Sequence, residues 1–130
     1  MSAVAGFPVA VISGIPVISA PFEIDISNAD ALRAALLSAG AHGHATLVVD
    51  MTRTGFCDSM GLHVLVRGQQ RAIAEGGELR LVIRAPSLLR LFRATGMDRS
   101  IPCFATLTEA VSKLPAIAIR PPQRQAGAVT

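Results

Sequence analysis

Residues 56–62 read Phe56-Cys57-Asp58-Ser59-Met60-Gly61-Leu62, and this junction decides the fold. The apolar run Leu47-Val48-Val49-Asp50-Met51 leads into it, and Leu62, Leu65, Val66, Gln69 and Ile73 leave it at helical spacing. A strand therefore runs into a helix here, with Ser59 near the first helical turn. Amide N–H groups at a helix start have no partner within the helix, and the helix dipole is positive there, so added negative charge is favoured. A serine so placed serves as an N-cap, a nucleophile or a phosphorylation switch.

Working outward, 46–51 is continuous rather than alternating in its apolar residues, as a strand buried on both faces is. Toward the N-terminus, 7–12 and 15–20 are β-branched runs joined by Ser13-Gly14, which reads as a hairpin over about 7–20. Ser27, with Asp30 three residues on, opens a helix through Leu32, Ala35, Leu36 and Ala39 that Gly40 closes. Toward the C-terminus, Gly76-Gly77 ends the helix after Ser59, and 78–83 is the next strand. Pro86 starts a helix through Leu88, Leu89, Leu91 and Phe92 that stops at Gly96. A short strand at 101–104 precedes a last helix, capped by Thr106 with Glu109 and running to Leu114. The order β-β-α-β-α-β-α-β-α predicts an α/β domain over 1–114 with a mostly parallel or mixed sheet. Residues 115–130, with three prolines and no sustained period, read as a flexible tail.

Composition bounds the function. The 130 residues suffice for one domain, 51% are apolar, and Trp and Tyr are absent, so the core is built from Leu, Ile, Val and Ala. Net charge is +3, with Arg84, Arg90, Arg93 and Arg99 crowding one stretch. That cluster has no aromatic interleaving and no zinc framework beside it, which speaks against nucleic-acid binding. Cys57 and Cys103 lack CxxC spacing and fit a reduced, cytoplasmic setting. The first 22 residues are uncharged but are broken by Gly6, Pro8, Gly14 and Pro16 and lack a basic n-region, so neither a leader nor a membrane span is expected.

Ser59 as an N-cap contributes about 1 kcal/mol. Ser59 as a nucleophile finds little support: Cys57 stands where G-x-S-x-G needs its first glycine, and only His63 follows downstream. No enzyme is expected. Asp58 is either a first-turn anion, worth about 0.3–1 kcal/mol, or a group that orients Ser59 or meets a partner. His42-Gly43-His44 has no third ligand at a recognisable spacing, so neither metal nor cofactor is expected. The arginines after Pro86 read as a solvated helix face.

Several blocks together resemble the STAS domain of the anti-sigma factor antagonist family. Glu23-Ile24-Asp25 before the Ser27 helix is similar to the family's G-E-L-D segment, and Leu47-Val48-Val49-Asp50 to its central strand. Asp58-Ser59-Met60-Gly61-Leu62 resembles its D-S-[ST]-G-L signature. The stretches 75–82 and 91–98 resemble two further blocks in the expected order, so the resemblance spans about 22–113. It implies a four- or five-stranded mixed sheet packed by about four helices. It also implies a partner, an anti-sigma factor that is usually a serine kinase, with phosphorylation at the serine after the aspartate, here Ser59. Partner contacts are expected from Asp58, Ser59, Met60, Gly61, His63, Glu23 and Asp25. Oligomeric state stays open between monomer and weak dimer. Met60 replaces the family's second Ser or Thr, His63 a common Gly, and Phe22 the usual Gly before Glu23, and each bears on partner choice. The alternative is a STAS interaction module in a stress-sensing or lipid-transport complex without phosphorylation control.

Overall fold

The hairpin turn at Ser13-Gly14 has positive φ at both central residues, 54° and 81°, as a type I′ turn requires. It joins β2 (Phe7–Ile12) to β3 (Ile15–Ser19) in antiparallel register, with Ile12 opposite Ile15. From β3 the sheet continues in parallel through β5 (Leu47–Met51), β7 (Leu79–Ile83) and β8 (Cys103–Phe104). The result is a five-stranded mixed sheet. A two-residue strand, β1 (Ala3–Val4), extends it beyond β2. The computed structural model describes residues 3, 4 and 6–112. The expected tail at 115–130 lies outside them, and the last helix, expected to run to Leu114, already ends at Ala110 with Val111 as its C-cap.

Alternation along the central strands sorts the core into two layers. Leu47, Val49 and Met51 of β5, with Leu79, Leu81 and Ile83 of β7, face the main core. That core is covered by α1 (Ala29–Gly40), α2 (Ser59–Ala74), α3 (Pro86–Thr95) and the single turn α4 (Met97–Ser100). Val48 and Val82 face the other side, where they pack with Val17 beneath α5 (Leu107–Ala110). Burial on both faces explains the continuous apolar run read in β5. Arg80 also points to this second side and is 3% exposed. Its Nε donates to Glu78 Oε2 at 2.7 Å, and its Nη1 to the carbonyls of Ala110 and Ser112, both at 2.9 Å. A buried guanidinium satisfied in this way ties α5 to the sheet.

Helix ends follow local chemistry. Pro86 stands at the first position of α3, and Gly96 ends that helix with φ 79°. Thr106 Oγ1 accepts the Glu109 amide at 3.2 Å at the start of α5. Two expectations change. α1 begins at Ala29 rather than at Ser27, because Asn28 turns its side chain backward, accepting from Asp25 N and donating to the Glu23 carbonyl. α2 buries Gly61, Val64, Leu65, Gln69 and Ala72, whereas Ile73 is exposed. The buried stripe is therefore rotated from the sequence reading: Leu65 and Gln69 stay in it, Leu62 and Val66 are half-buried at its edge, and Gln69 bonds Leu79 N and the Ser100 carbonyl.

Candidate functional site

A second, two-stranded parallel ribbon builds the site. β4 (Glu23–Ile24) pairs with β6 (Phe56–Cys57), Glu23 opposite Phe56 and Ile24 opposite Cys57. The chain reaches it from β5 through a turn closed by Thr54 N to the Met51 carbonyl at 3.0 Å. The buried Thr54 hydroxyl donates to the Pro21 carbonyl at 2.8 Å, and Gly55 N donates to the Phe22 carbonyl at 2.9 Å. The Phe22 ring lies over Gly55, where a Cβ would sit 2.7 Å from its Cε1. Both strands are two residues long, too short for any periodicity to show in the sequence.

Asp58 follows the ribbon and is the N-cap of α2. Its Oδ1 accepts from Gly61 N at 3.0 Å, and its Oδ2 from Ile26 N at 3.1 Å. Its own N–H donates to the Ile24 carbonyl at 3.0 Å. This corrects the reading of Ser59 as the cap. Ser59 is the first helical residue and exposed, and its hydroxyl makes no hydrogen bond among the described residues. The amides of Ser59 and Met60 likewise have no acceptor among the described residues, so the positive helix end stays open to an anion.

Gly61 requires a second correction. It is buried, and a Cβ there would come 2.7 Å from both Cys57 Sγ and Ile24 Cγ2. The glycine lets α2 seat on the ribbon and is out of a partner's direct reach. Burial, reinforced by the nearby Asp58 charge, pushes the Cys57 thiol up to about 12.

The other expected residues distribute around this start. Met60 and His63 are exposed on the first turns of α2, and Glu23 is exposed on β4. Asp25 organises the turn before α1: its carboxylate accepts from the Ser27 hydroxyl and from Ser27 N at 2.9 Å. Those bonds, the hydroxyl's first, hold Asp25 below the ordinary carboxylate value. Sequence reasoning missed Ile26 and Phe56. With Phe22 and Met60 they stand exposed on or beside the ribbon, on the loop that Asp58 ties down and on the first turn of α2, at 74%, 49%, 62% and 45% exposure respectively. An apolar residue left outside a core carries no mark in the sequence, so only the fold distinguishes it. Away from the site, His42 Nδ1 lies 2.8 Å from the Ser38 carbonyl. Among the described residues no three His, Cys, Asp or Glu are placed to hold a metal, and no helix is long and apolar enough to cross a membrane.

Residues 7–110, spanning the hairpin, the ribbon, the Ser59 junction and α5, match the STAS domain. The chain belongs to the STAS domain family. It is 30% identical over 100 residues to the anti-sigma-F factor antagonist RsfB of Mycobacterium tuberculosis, covering 77% of this chain and 81% of that protein. The crystal structure of an anti-sigma factor antagonist from Mycobacterium paratuberculosis superposes with a TM-score of 0.74 at 31% identity, over 81% of this chain and 89% of that one. The Bacillus cell fate determinant SpoIIAA in its phosphorylated form shares the fold, with a TM-score of 0.63 at 24% identity over 81% of this chain and 96% of that one. Within this STAS domain, the ribbon and the Asp58 cap are what hold Ser59 at the surface.

Proposed function

We propose that this STAS domain is an anti-sigma factor antagonist. It binds an anti-sigma factor that is a serine kinase, frees a sigma factor, and is switched off by phosphorylation of Ser59. The observation that carries this reading is Ser59 itself: exposed, its hydroxyl unengaged among the described residues, at an open helix start near exposed Phe22, Ile26, Phe56 and Met60. The names of the relatives support it, since RsfB and the M. paratuberculosis protein are both called anti-sigma factor antagonists.

The switch follows from charge and solvation. A phosphate adds close to two negative charges at neutral pH. At the start of α2 the open amides and the helix dipole tolerate that charge, so the domain stays folded. Against a partner covering the exposed apolar side chains, the same phosphate must be desolvated without a counter-charge, which opposes binding. Met60 offers no hydroxyl, so the site is single. Glu23, Asp25 and His63 flank the contact, while Asp58 acts by holding the Ile26 loop and Gly61 by close packing.

Radiolabelled ATP and the purified anti-sigma kinase test the reading. Label should enter the unmodified chain at Ser59 and be absent from Ser59→Ala. Label retained in Ser59→Ala, or none in either, contradicts it.

A further inference from the structure

Beside the Ser59 site a groove of about 610 Å³ runs between α1 and α2. Its floor is apolar: Leu36 and Val64 are buried and Leu37 is half-buried. The helices approach closely because position 68 is glycine, where a Cβ would come 3.0 Å from Leu36 Cδ1. The rim is mainly basic, with Arg33 on α1 and Arg67 and Arg71 on α2, all exposed, against one acid, Asp30 on α1. Arg33 pairs with Asp30 at 3.2 Å and Arg71 with Glu75 at 3.4 Å, both in solvent. Arg67 has no acidic partner among the described residues. Met60 and His63 line the same groove and stand on the first turns of α2, so it is continuous with the surface around Ser59.

We infer that this groove receives an acidic amphipathic helix of the partner protein. Its apolar face would cover Leu37 and Met60, and its carboxylates would meet Arg33, Arg67 and Arg71. The inference rests on the proposed reading for the partner's identity. An apolar channel between two helices suits a helix laid along it. Single exposed ion pairs contribute little, but a rim of net positive charge, with Arg67 unpaired among the described residues, favours a negatively charged segment and speeds encounter. The chain's own C-terminal segment is mismatched, because its charged residues Lys113, Arg120 and Arg124 are also basic.

The test measures binding of the purified anti-sigma factor to the full chain, to Arg67→Glu, to Arg67→Lys and to Ser59→Asp. In parallel, Gln70 on the rim is replaced by the photocrosslinker p-benzoylphenylalanine. Arg67→Glu should weaken binding about tenfold, Arg67→Lys should retain it, and added salt should shrink the difference. The crosslink should map to a partner helix bearing Asp or Glu. Binding of Arg67→Glu at full strength while Ser59→Asp loses it overturns the groove alone and leaves the functional reading standing. A crosslink to a neutral or basic segment, or to a second copy of this chain, overturns the groove as well. No binding by the unmodified chain removes the functional reading, and the groove with it.

Discussion

The carboxylate of Asp58 bonds the backbone N–H of Ile26, 32 residues earlier in the chain, at 3.1 Å. Its other oxygen holds Gly61 N at 3.0 Å. One side chain thus fixes the start of α2 and the loop before α1 as a unit, and Ser59 and Ile26 keep their positions together.

Asp58→Ala removes the cap and the tie at once. The variant should lose about 1–2 kcal/mol of stability in urea denaturation, and Asp58→Asn should lose less. Ser59→Ala should stay within about 0.5 kcal/mol of the unmodified chain, because its hydroxyl caps nothing. The reverse ranking would return the cap to Ser59.

Gly61→Ala should destabilise by about 1–3 kcal/mol, since its methyl meets Cys57 and Ile24 in a packed layer. Thermal unfolding reads this directly. A melting temperature equal to that of the unmodified chain would mean that α2 does not seat on the ribbon as closely as described.

The two thiols should separate by reactivity. Cys57 is buried and its thiol is pushed up to about 12, whereas Cys103 is half-buried. The folded state therefore favours neutral Cys57, a contribution present below the ordinary thiol value of 9.0 and lost as pH rises toward 12. Disulfide-exchange labelling near neutral pH should modify Cys103 first, with Cys57 following only on unfolding.

Asp25 should titrate below its ordinary value of 3.8. Its lowered folded value makes its contribution to the turn present above that ordinary value and lost as pH falls through the folded one. An acid titration followed at the Ser27 amide by NMR should inflect below 3.8, and Ser27→Ala should move the inflection of Asp25 upward. An inflection unchanged by Ser27→Ala would contradict the assigned cause.

The main sheet was legible in the sequence because its strands carry long apolar runs and its helices carry caps. Ser13-Gly14, Pro86, Gly96 and Thr106 each do what their chemistry dictates. The β4–β6 ribbon was not legible, since Ile24 and Cys57 become neighbours only once the strands pair. The cap was misread for a related reason. Asp58 and Ser59 are adjacent residues that both favour capping, and the choice depends on Ile26, which offers Asp58 a second donor. Exposed Ile26 and Phe56 were invisible as site residues for the same long-range cause.

The most direct test of the central claim is calorimetric titration of purified anti-sigma factor with the chain, unmodified and phosphorylated on Ser59, with melting temperatures taken in parallel. The two forms should melt alike, and the phosphorylated form should bind far more weakly. Equal affinity in the two forms would contradict that claim.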